Sequence, residues 1–368
     1  MRPTEKIVRN YRIAVIPGDG VGQEVTNEAM RIASAASKKS GCDLQADWFD
    51  WGCDFYLKHG VMMPEDALKV LSSYDAIYLG CIGDSSKVPD HVSLRLLLGI
   101  RKGFDQYVNL RPVILYKGVE TPLKRTSPGE IDFVVVRENV EGEYSQIGGR
   151  FKQNTADEIA LQTAVFTRKG TERVIRYAFE LAKKRNKLGG RDGYKGMVTN
   201  CSKSNALNYS MVFWDEVYGL VAAAFRDIKQ DFAMVDALSM WFIKNPEYFD
   251  VIVASNLFGD IITDLGAMLQ GGMGFAAGGN INPERVNPSM FEPIHGSAPK
   301  YTGKGIVNPI AAIEAARMML EHLGIESAAS AIGVAVQSVL AEGRVRTRDS
   351  GGTARTDEMG QAVLDRIY

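Results

Sequence analysis

Cysteine is scarce in this chain. Among 368 residues only Cys42, Cys53, Cys81 and Cys201 occur, and no two show C-x-x-C spacing. That excludes a disulfide framework and suits reduced thiols in a cytosolic protein. A dominant charge is also lacking. The 43 basic and 44 acidic residues nearly cancel, so nothing steers the chain toward nucleic acid or an anionic membrane. No apolar run approaches the roughly 18 residues of a membrane helix, and residues 1–10 are too polar for a signal peptide. Internal repeats and low-complexity tracts are absent. The expectation is a soluble, cytoplasmic protein with no nucleic-acid or membrane partner. At 45% hydrophobic and 24% charged, it is long enough for two lobes, since single cores stop growing near roughly 250–300 residues.

What the chain does contain is an alternation of apolar strands and amphipathic helices. Strand patterns fall at residues 12–16, 44–49, 75–79, 108–116, 132–136, 196–199, 232–235 and 250–254. Helical patterns fall at 24–39, 64–73, 92–100, 168–187, 205–225, 310–323 and 326–340. Residues 141–162 are rich in Gly and poor in helix signals, which fits a hairpin-like arm. A Gly-rich run at 271–280 separates the middle of the chain from its last segment. The pattern is α/β with a mixed, largely parallel sheet. The first strand feeds Gly18-Asp19-Gly20-Val21-Gly22, but the spacing is G-x-G-x-G, and no acidic residue closes a second strand at the expected distance. A Rossmann dinucleotide fold is therefore not indicated.

The stretch with most chemistry is 248–268, YFDVIVASNLFGDIITDLGAM. A buried strand empties into a loop, and a helix is expected to start near Asp260. Asp260 and Asp264 are four apart, so their carboxylates share one face, in the helix's first turns where negative charge is tolerated. Two carboxylates with room for water and a chelating substrate suit Mg²⁺ or Mn²⁺ better than zinc. An acidic turn that merely complements the helix dipole would look the same. Arg101, Arg111 and Arg137 each end an apolar segment; converging, they would hold carboxylates bidentately, and separately they are surface arginines. Tyr144 and Lys203 are candidate proton-transfer groups. Asp236, at the end of the 232–235 strand, fits either a third metal carboxylate or a partner for Lys203.

Five ordered motifs carry a family resemblance: GFDQYVNLRP (103–112), FVVVRENVEGEYS (133–145), SKSNAL (202–207), VASNLFGDIITDLG (253–266) and FEPIHGSAPKYTGKG (291–305). They resemble the β-decarboxylating dehydrogenases of 2-hydroxy acids, the isocitrate/isopropylmalate dehydrogenase family. Within it, FDWG (49–52), HGVMMP (59–64), PDH (89–91) and NINPERVNPSMFEP (280–293) look most like the tartrate and D-malate branch.

The resemblance implies a two-lobed isopropylmalate-dehydrogenase-like fold. Residues 1–106 and 271–368 would form a cofactor-binding lobe, and 107–270 a substrate, metal and dimerisation lobe with its arm near 141–162. It implies a homodimer with shared active sites, acting on a small 2-hydroxy dicarboxylate. Arg101, Arg111 and Arg137 would hold substrate carboxylates, and Arg95, Leu97 and Leu98 would line the pocket for the C3 substituent. Asp260 and Asp264, with Asp236 from the other subunit, would hold Mg²⁺ or Mn²⁺, while Tyr144 and Lys203 transfer protons. His295, Gly296, Ser297, Ala298, Lys300, Tyr301, Val307 and Asn308 would receive the dinucleotide. Lys300 and Tyr301 look like the NADP-using members, and the branch as a whole looks NAD-using, so NADP or NAD is expected. A catalytically idle homologue kept for binding or regulation is the alternative, but it should lack some of these groups.

Overall fold

A computed structural model of the chain describes residues 9–124, 127 and 129–368. Two compact units emerge, one built from Met1–Gln106, Ile114–Ile131 and Ala267–Tyr368, the other from Tyr107–Val113 and Asp132–Gly266. Among the described residues no helix is long and apolar enough to cross a membrane.

Along the chain, β1 (Arg9–Gly18), α1 (Gly22–Lys39), β2 (Cys42–Trp48), α2 (Cys53–His59), α3 (Ala67–Leu71), β3 (Ala76–Cys81) and α4 (Asp90–Gly103) come first. The middle holds β4 (Val108–Ile114), β5 (Asp132–Glu138), β6 (Gly142–Phe151), β7 (Ile159–Val165), α5 (Arg168–Arg185), β8 (Gly196–Ser202), α6 (Ser210–Ala222), β9 (Ile228–Met234), α7 (Val235–Lys244), β10 (Val251–Ala254) and α8 (Asn256–Leu269). The last part adds β11 (Ala277–Ile281), β12 (Ser289–Pro293), α9 (Ile310–His322), α10 (Glu326–Glu342) and α11 (Thr356–Ile367).

In the first unit the strands run β2-β1-β3-β12-β11, parallel except that β11 is antiparallel to β12. Strands of a parallel sheet are covered on both faces, so their sequences read as continuous apolar runs. Accordingly Ile13 to Ile16 and all of β3 are buried. In the second unit β5-β10-β8-β9 are parallel neighbours, and β5, β8 and β10 are almost wholly buried. The arm is the antiparallel ribbon β6–β7, which leaves Ile147, Phe151, Ile159 and Leu161 exposed.

Four local expectations need correction. Helix α8 starts at Asn256, so Asp260 and Asp264 stand in its second and third turns, and their charge is answered by arginines instead of by the helix terminus. Asp236 does not end a strand: β9 stops at Met234, and Asp236 is in the first turn of α7. The Gly-rich run ends in strand β11, whose small residues permit close approach; a Cβ on Gly279 would lie 3.1 Å from the Phe291 ring. Helices α2 and α11 were not anticipated, and the 64–73 pattern yields only Ala67–Leu71 as helix.

The Gly-Asp-Gly turn after β1 serves assembly of the first unit. Asp19 accepts the Cys53 N–H on Oδ1 at 2.7 Å and the Gly83 N–H on Oδ2 at 2.8 Å. Val21 donates its N–H to the Ser297 carbonyl at 2.8 Å, and Gly20, at φ +58°, comes so close that a Cβ would sit 2.1 Å from that oxygen. The Asp19→Ala variant strands one buried and one partly buried N–H group and should be destabilised by roughly 2–3 kcal/mol. Denaturant unfolding checks this; an unchanged midpoint would show that the turn is held by other contacts.

Candidate active site

The second unit gathers one polar cluster where parallel strands end. Ala254 of β10 pairs with Arg137 of β5, so the chain leaving β10 begins α8 directly beside that arginine. Arg137 is 1% exposed. Its Nη1 donates to Asp260 Oδ1 at 2.5 Å, its Nη2 to Asn256 Oδ1 at 2.7 Å, and its Nε to the Asn256 carbonyl at 2.8 Å. The guanidinium also lies 5.3 Å from the centroid of the Tyr144 ring. Tyr144 donates its hydroxyl to Asp260 Oδ2 at 2.7 Å. Arg111, on β4, donates to Thr263 Oγ1 at 2.6 Å and stands 3.5 Å from Asp260 Oδ1. Asp264 is held above the ordinary carboxylate range, by partial burial first and by Asp260 as well, with Arg111 and Arg137 pulling the other way.

This arrangement brings together Arg111, Arg137, Tyr144, Asp260 and Asp264 of the sequence-derived candidates. Lys203 and Asp236 form a separate pair, Nζ to Oδ1 at 2.9 Å, following β8 and β9. That bond holds the Asp236 carboxyl below its usual range. Among the described residues no three His, Cys, Asp or Glu side chains gather to hold a metal, so within one chain Asp236 does not join Asp260 and Asp264. The donor set is nevertheless all oxygen, and it fits a hard divalent cation that also takes water, substrate and a carboxylate from elsewhere.

Arg101 belongs to the first unit. It is buried and donates to Glu292 Oε1 at 2.7 Å, an oxygen that Asn280 also contacts at 2.7 Å. On α4, Leu96 and Ile100 face the core, Leu97 packs partly against it, Leu98 is half-buried and Arg95 is exposed.

The first unit also holds a cavity of about 500 Å³ lined by His295, Gly296, Ala298, Tyr301, Val307 and Asn308. Its other walls are Val21, Met273, Gly274, Ile306, Arg348 and Asp349. Burial holds the His295 imidazole below its usual range, hence neutral near pH 7, and its Nε2 is enclosed without a hydrogen-bond partner. A mostly apolar slot with one unmet ring nitrogen suits a heteroaromatic base. Ser297 is not part of the wall: it is buried and gives its hydroxyl to the Gly83 carbonyl. Lys300 lies outside the lining, its ammonium 4.8 Å from the Tyr301 ring centroid.

Asn256, Thr263, Glu138 and Arg348 were missed by the sequence reading. A signal existed for two of them, since Asn256, Asp260, Thr263 and Asp264 form one polar stripe along an otherwise apolar helix.

Residues 12–363 match the family model described as isocitrate/isopropylmalate dehydrogenase. The chain is 47% identical over 366 residues to a tartrate dehydrogenase/decarboxylase of Pseudomonas putida, covering 97% of this chain and 98% of the relative. It is 47% identical over 368 residues to a decarboxylating D-malate dehydrogenase of Escherichia coli strain K12, covering 98% and 99%. Among solved structures, isocitrate dehydrogenase from Methylococcus capsulatus aligns with a TM-score of 0.85 at 34% identity, over 97% of this chain and 99% of that one.

Two expectations follow from the geometry. A Cβ on Gly259 would lie 2.5 Å from Arg137 Cγ and 2.6 Å from its Cβ, so Gly259→Ala should wedge the guanidinium off Asp260 at about 1–3 kcal/mol of stability. Thermal unfolding and substrate titration check it; native behaviour in both would mean the helix yields freely. Burial raises the Glu138 carboxyl from 4.5 to about 7, so its stabilising share is full below about 4.5 and lost as pH rises through about 7. Glu138→Gln cannot titrate, so the stability of native protein relative to this variant should fall with rising pH by on the order of 3 kcal/mol over that window. Parallel unfolding curves at all pH values would refute this.

Proposed function

We propose that this chain, which belongs to the isocitrate/isopropylmalate dehydrogenase family and is an oxidoreductase acting on a CH–OH group, oxidises and decarboxylates a malate-type 2-hydroxy acid. D-malate and tartrate are the favoured substrates; isopropylmalate and isocitrate-like acids are the alternatives. The observation that carries the reading is the Arg111–Arg137–Tyr144–Asp260–Asp264 cluster, where two guanidiniums, a phenol and two carboxylates share one site. No group needed for the chemistry is missing, which weighs against an idle homologue.

The roles divide by chemistry. Arg111 and Arg137 would bind the substrate's carboxylates. Asp260 and Asp264, with Asp236 of a second copy, would hold Mg²⁺ or Mn²⁺. Such an ion would supply Lewis acidity to the bound hydroxy acid, and a nicotinamide would supply the hydride acceptor. Lys203, as the neutral amine, would take the C2 hydroxyl proton during oxidation, and Asp236, 2.9 Å from its Nζ, would hold the ammonium that results. Tyr144 delivers the proton to C3 after the β-carboxylate is lost, its hydroxyl steered by Asp260.

Pairing of two copies is supported by apolar surface that the single chain leaves uncovered. Met240 of α7 is 72% exposed, and Ile261 and Met268 of α8 are 58% and 51% exposed one heptad apart. The ribbon β6–β7 adds a second apolar face. In a homodimer Lys203 and Asp236 of one copy would complete the site of the other. The first unit serves as the cofactor lobe and the second as the substrate and dimerisation lobe of a soluble, cytoplasmic enzyme.

The dinucleotide would occupy the cavity lined by His295 and Asn308. NADP, or use of both cofactors, fits the two cations beside Tyr301, Lys300 and Lys304, together with Arg348 in the cavity wall.

Kinetics with D-malate, tartrate, isopropylmalate and isocitrate, followed by formation of reduced nicotinamide, test the substrate class. A roughly 100-fold preference for isopropylmalate, about 2.7 kcal/mol, would overturn the choice. Chelation should abolish turnover, Mn²⁺ or Mg²⁺ should restore it, and Asp260→Asn should not recover. Lys203→Met should slow oxidation by several decades, whereas Tyr144→Phe should hurt decarboxylation more than oxidation; equal mild losses would remove that division. Cofactor choice is read from kcat/KM for NAD and NADP in native protein and Lys300→Asp; a native preference for NAD beyond about tenfold, unchanged by the substitution, would show that Lys300 reads no 2′-phosphate.

A further inference from the structure

We propose that Glu138 is a positioning residue that decides which end of the Asn256 amide faces Arg137, and so whether that guanidinium is set to receive a substrate carboxylate. The inference rests on the proposed role of Arg137 in substrate binding. An asparagine amide presents an acceptor on one side and a donor on the other, and beside a buried cation only the acceptor is tolerable. Here Asn256 Oδ1 faces Arg137, at 2.7 Å from Nη2 and 3.2 Å from Nε. On its other side, Nδ2 donates to the Glu141 carbonyl at 3.0 Å and to Glu138 Oε2 at 3.3 Å. Glu138 and Asn256 are 3% and 1% exposed, so water does not relax a wrong orientation.

The two oxygens of Glu138 are not equivalent. Oε1 accepts the Val140 N–H at 2.9 Å and the Glu141 N–H at 3.1 Å, while Oε2 takes the Glu141 N–H at 3.0 Å and faces the amide. A proton on Oε2 would turn an acceptor toward Asn256 into a donor. The amide then meets a donor on the Glu138 side and loses that anchor, so its orientation is left to the Glu141 carbonyl and to Arg137 itself, and any turn would put Nδ2 against the guanidinium. The charged group that acts on Glu138 is Glu141 in the following turn, and Arg137 precedes it on the same strand. The Glu141 carboxylate is occupied by the Thr167 N–H at 2.9 Å and the Thr167 hydroxyl at 2.7 Å. Burial pushes Glu138 up to about 7, with the Val140 and Glu141 N–H groups opposing, so the change of orientation falls in the neutral range.

The test is calorimetric titration of D-malate with Mg²⁺, without nicotinamide, into the full-length protein from about pH 6 to about pH 8. Native affinity should rise about tenfold across that range. In Glu138→Gln the amide nitrogen takes the place of Oε2, so affinity at the upper pH should fall at least about tenfold and lose its slope. Adding Asn256→Asp gives both the introduced glutamine amide and Arg137 an acceptor and keeps the net charge of the pair, so the double variant should recover to within about threefold of native with no slope. A merely structural glutamate would not be rescued this way. Native affinity and slope in Glu138→Gln, or a double variant no better than the single one, would overturn the proposal. If the single variant fails to fold by circular dichroism, a flat native profile or a non-binding, folded double variant overturns it instead. Arg137→Ala separates the two readings: native binding there removes the substrate role of Arg137, whereas weakened binding there with an unaffected Glu138→Gln removes only the positioning role.

Discussion

The second unit depends on one buried cation. Arg137 sits at the carboxyl end of a buried strand with almost no exposure, and a guanidinium so placed is costly unless it is paired and fully hydrogen-bonded. Asp260 supplies the charge, Asn256 supplies oxygens from both its side chain and its backbone, and Tyr144 supplies a ring face. The start of α8 is placed by this need: the chain leaving β10 must turn at once so that its first two turns cover the guanidinium, and Gly259 must lack a side chain where Arg137 passes.

The parallel topology explains why the chemistry collects as it does. When neighbouring strands run the same way, their carboxyl ends share one edge, and the residues that follow them share one neighbourhood. In the second unit that edge carries Arg137 at the end of β5, Lys203 after β8, Asp236 after β9 and Asn256 and Asp260 after β10. In the first unit the same logic places the Gly-Asp-Gly turn after β1, Gly83 after β3 and His295 after β12, the last two strands being parallel neighbours. Asp19, Ser297 and Gly83 then knit these three turns together, so the wall of the His295 cavity rests on backbone hydrogen bonds. A loop anchored in this way can hold a ligand without ordering itself first.

Within the site, charge is arranged so that each group keeps a task. Asp260 balances Arg137 and Arg111 while accepting from Tyr144, which leaves Asp264 as the less compensated carboxylate. Lys203 is kept by its own carboxylate partner, Asp236. That pair stands apart from the Arg137–Asp260 cluster within the chain.

Much was legible from local pattern. The strands 12–16, 132–136 and 250–254 and the long helices near 24–39 and 168–187 follow from continuous or 3.6-periodic apolar residues, because burial on both faces, or on one helical stripe, is what those patterns encode. The Asp260/Asp264 pair was legible from spacing alone, since residues four apart share a helix face wherever the helix begins. The start of α8 was not: Ser255 and Asn256 read as loop as readily as cap, the Ser255 hydroxyl makes no capping hydrogen bond, and the helix is set by the partner it covers. Strand β11 could not be read from Ala-Gly-Gly-Asn-Ile, since pairing with β12 and the nearness of the Phe291 ring, both tertiary, make small residues the right ones there. The places of Glu138 and Arg348 were equally beyond local pattern. A residue's neighbours across more than a hundred positions are decided by strand order, and only the folded chain shows that the Glu138 carboxylate reaches the Asn256 amide and that Arg348, not Lys300, lines the cavity wall.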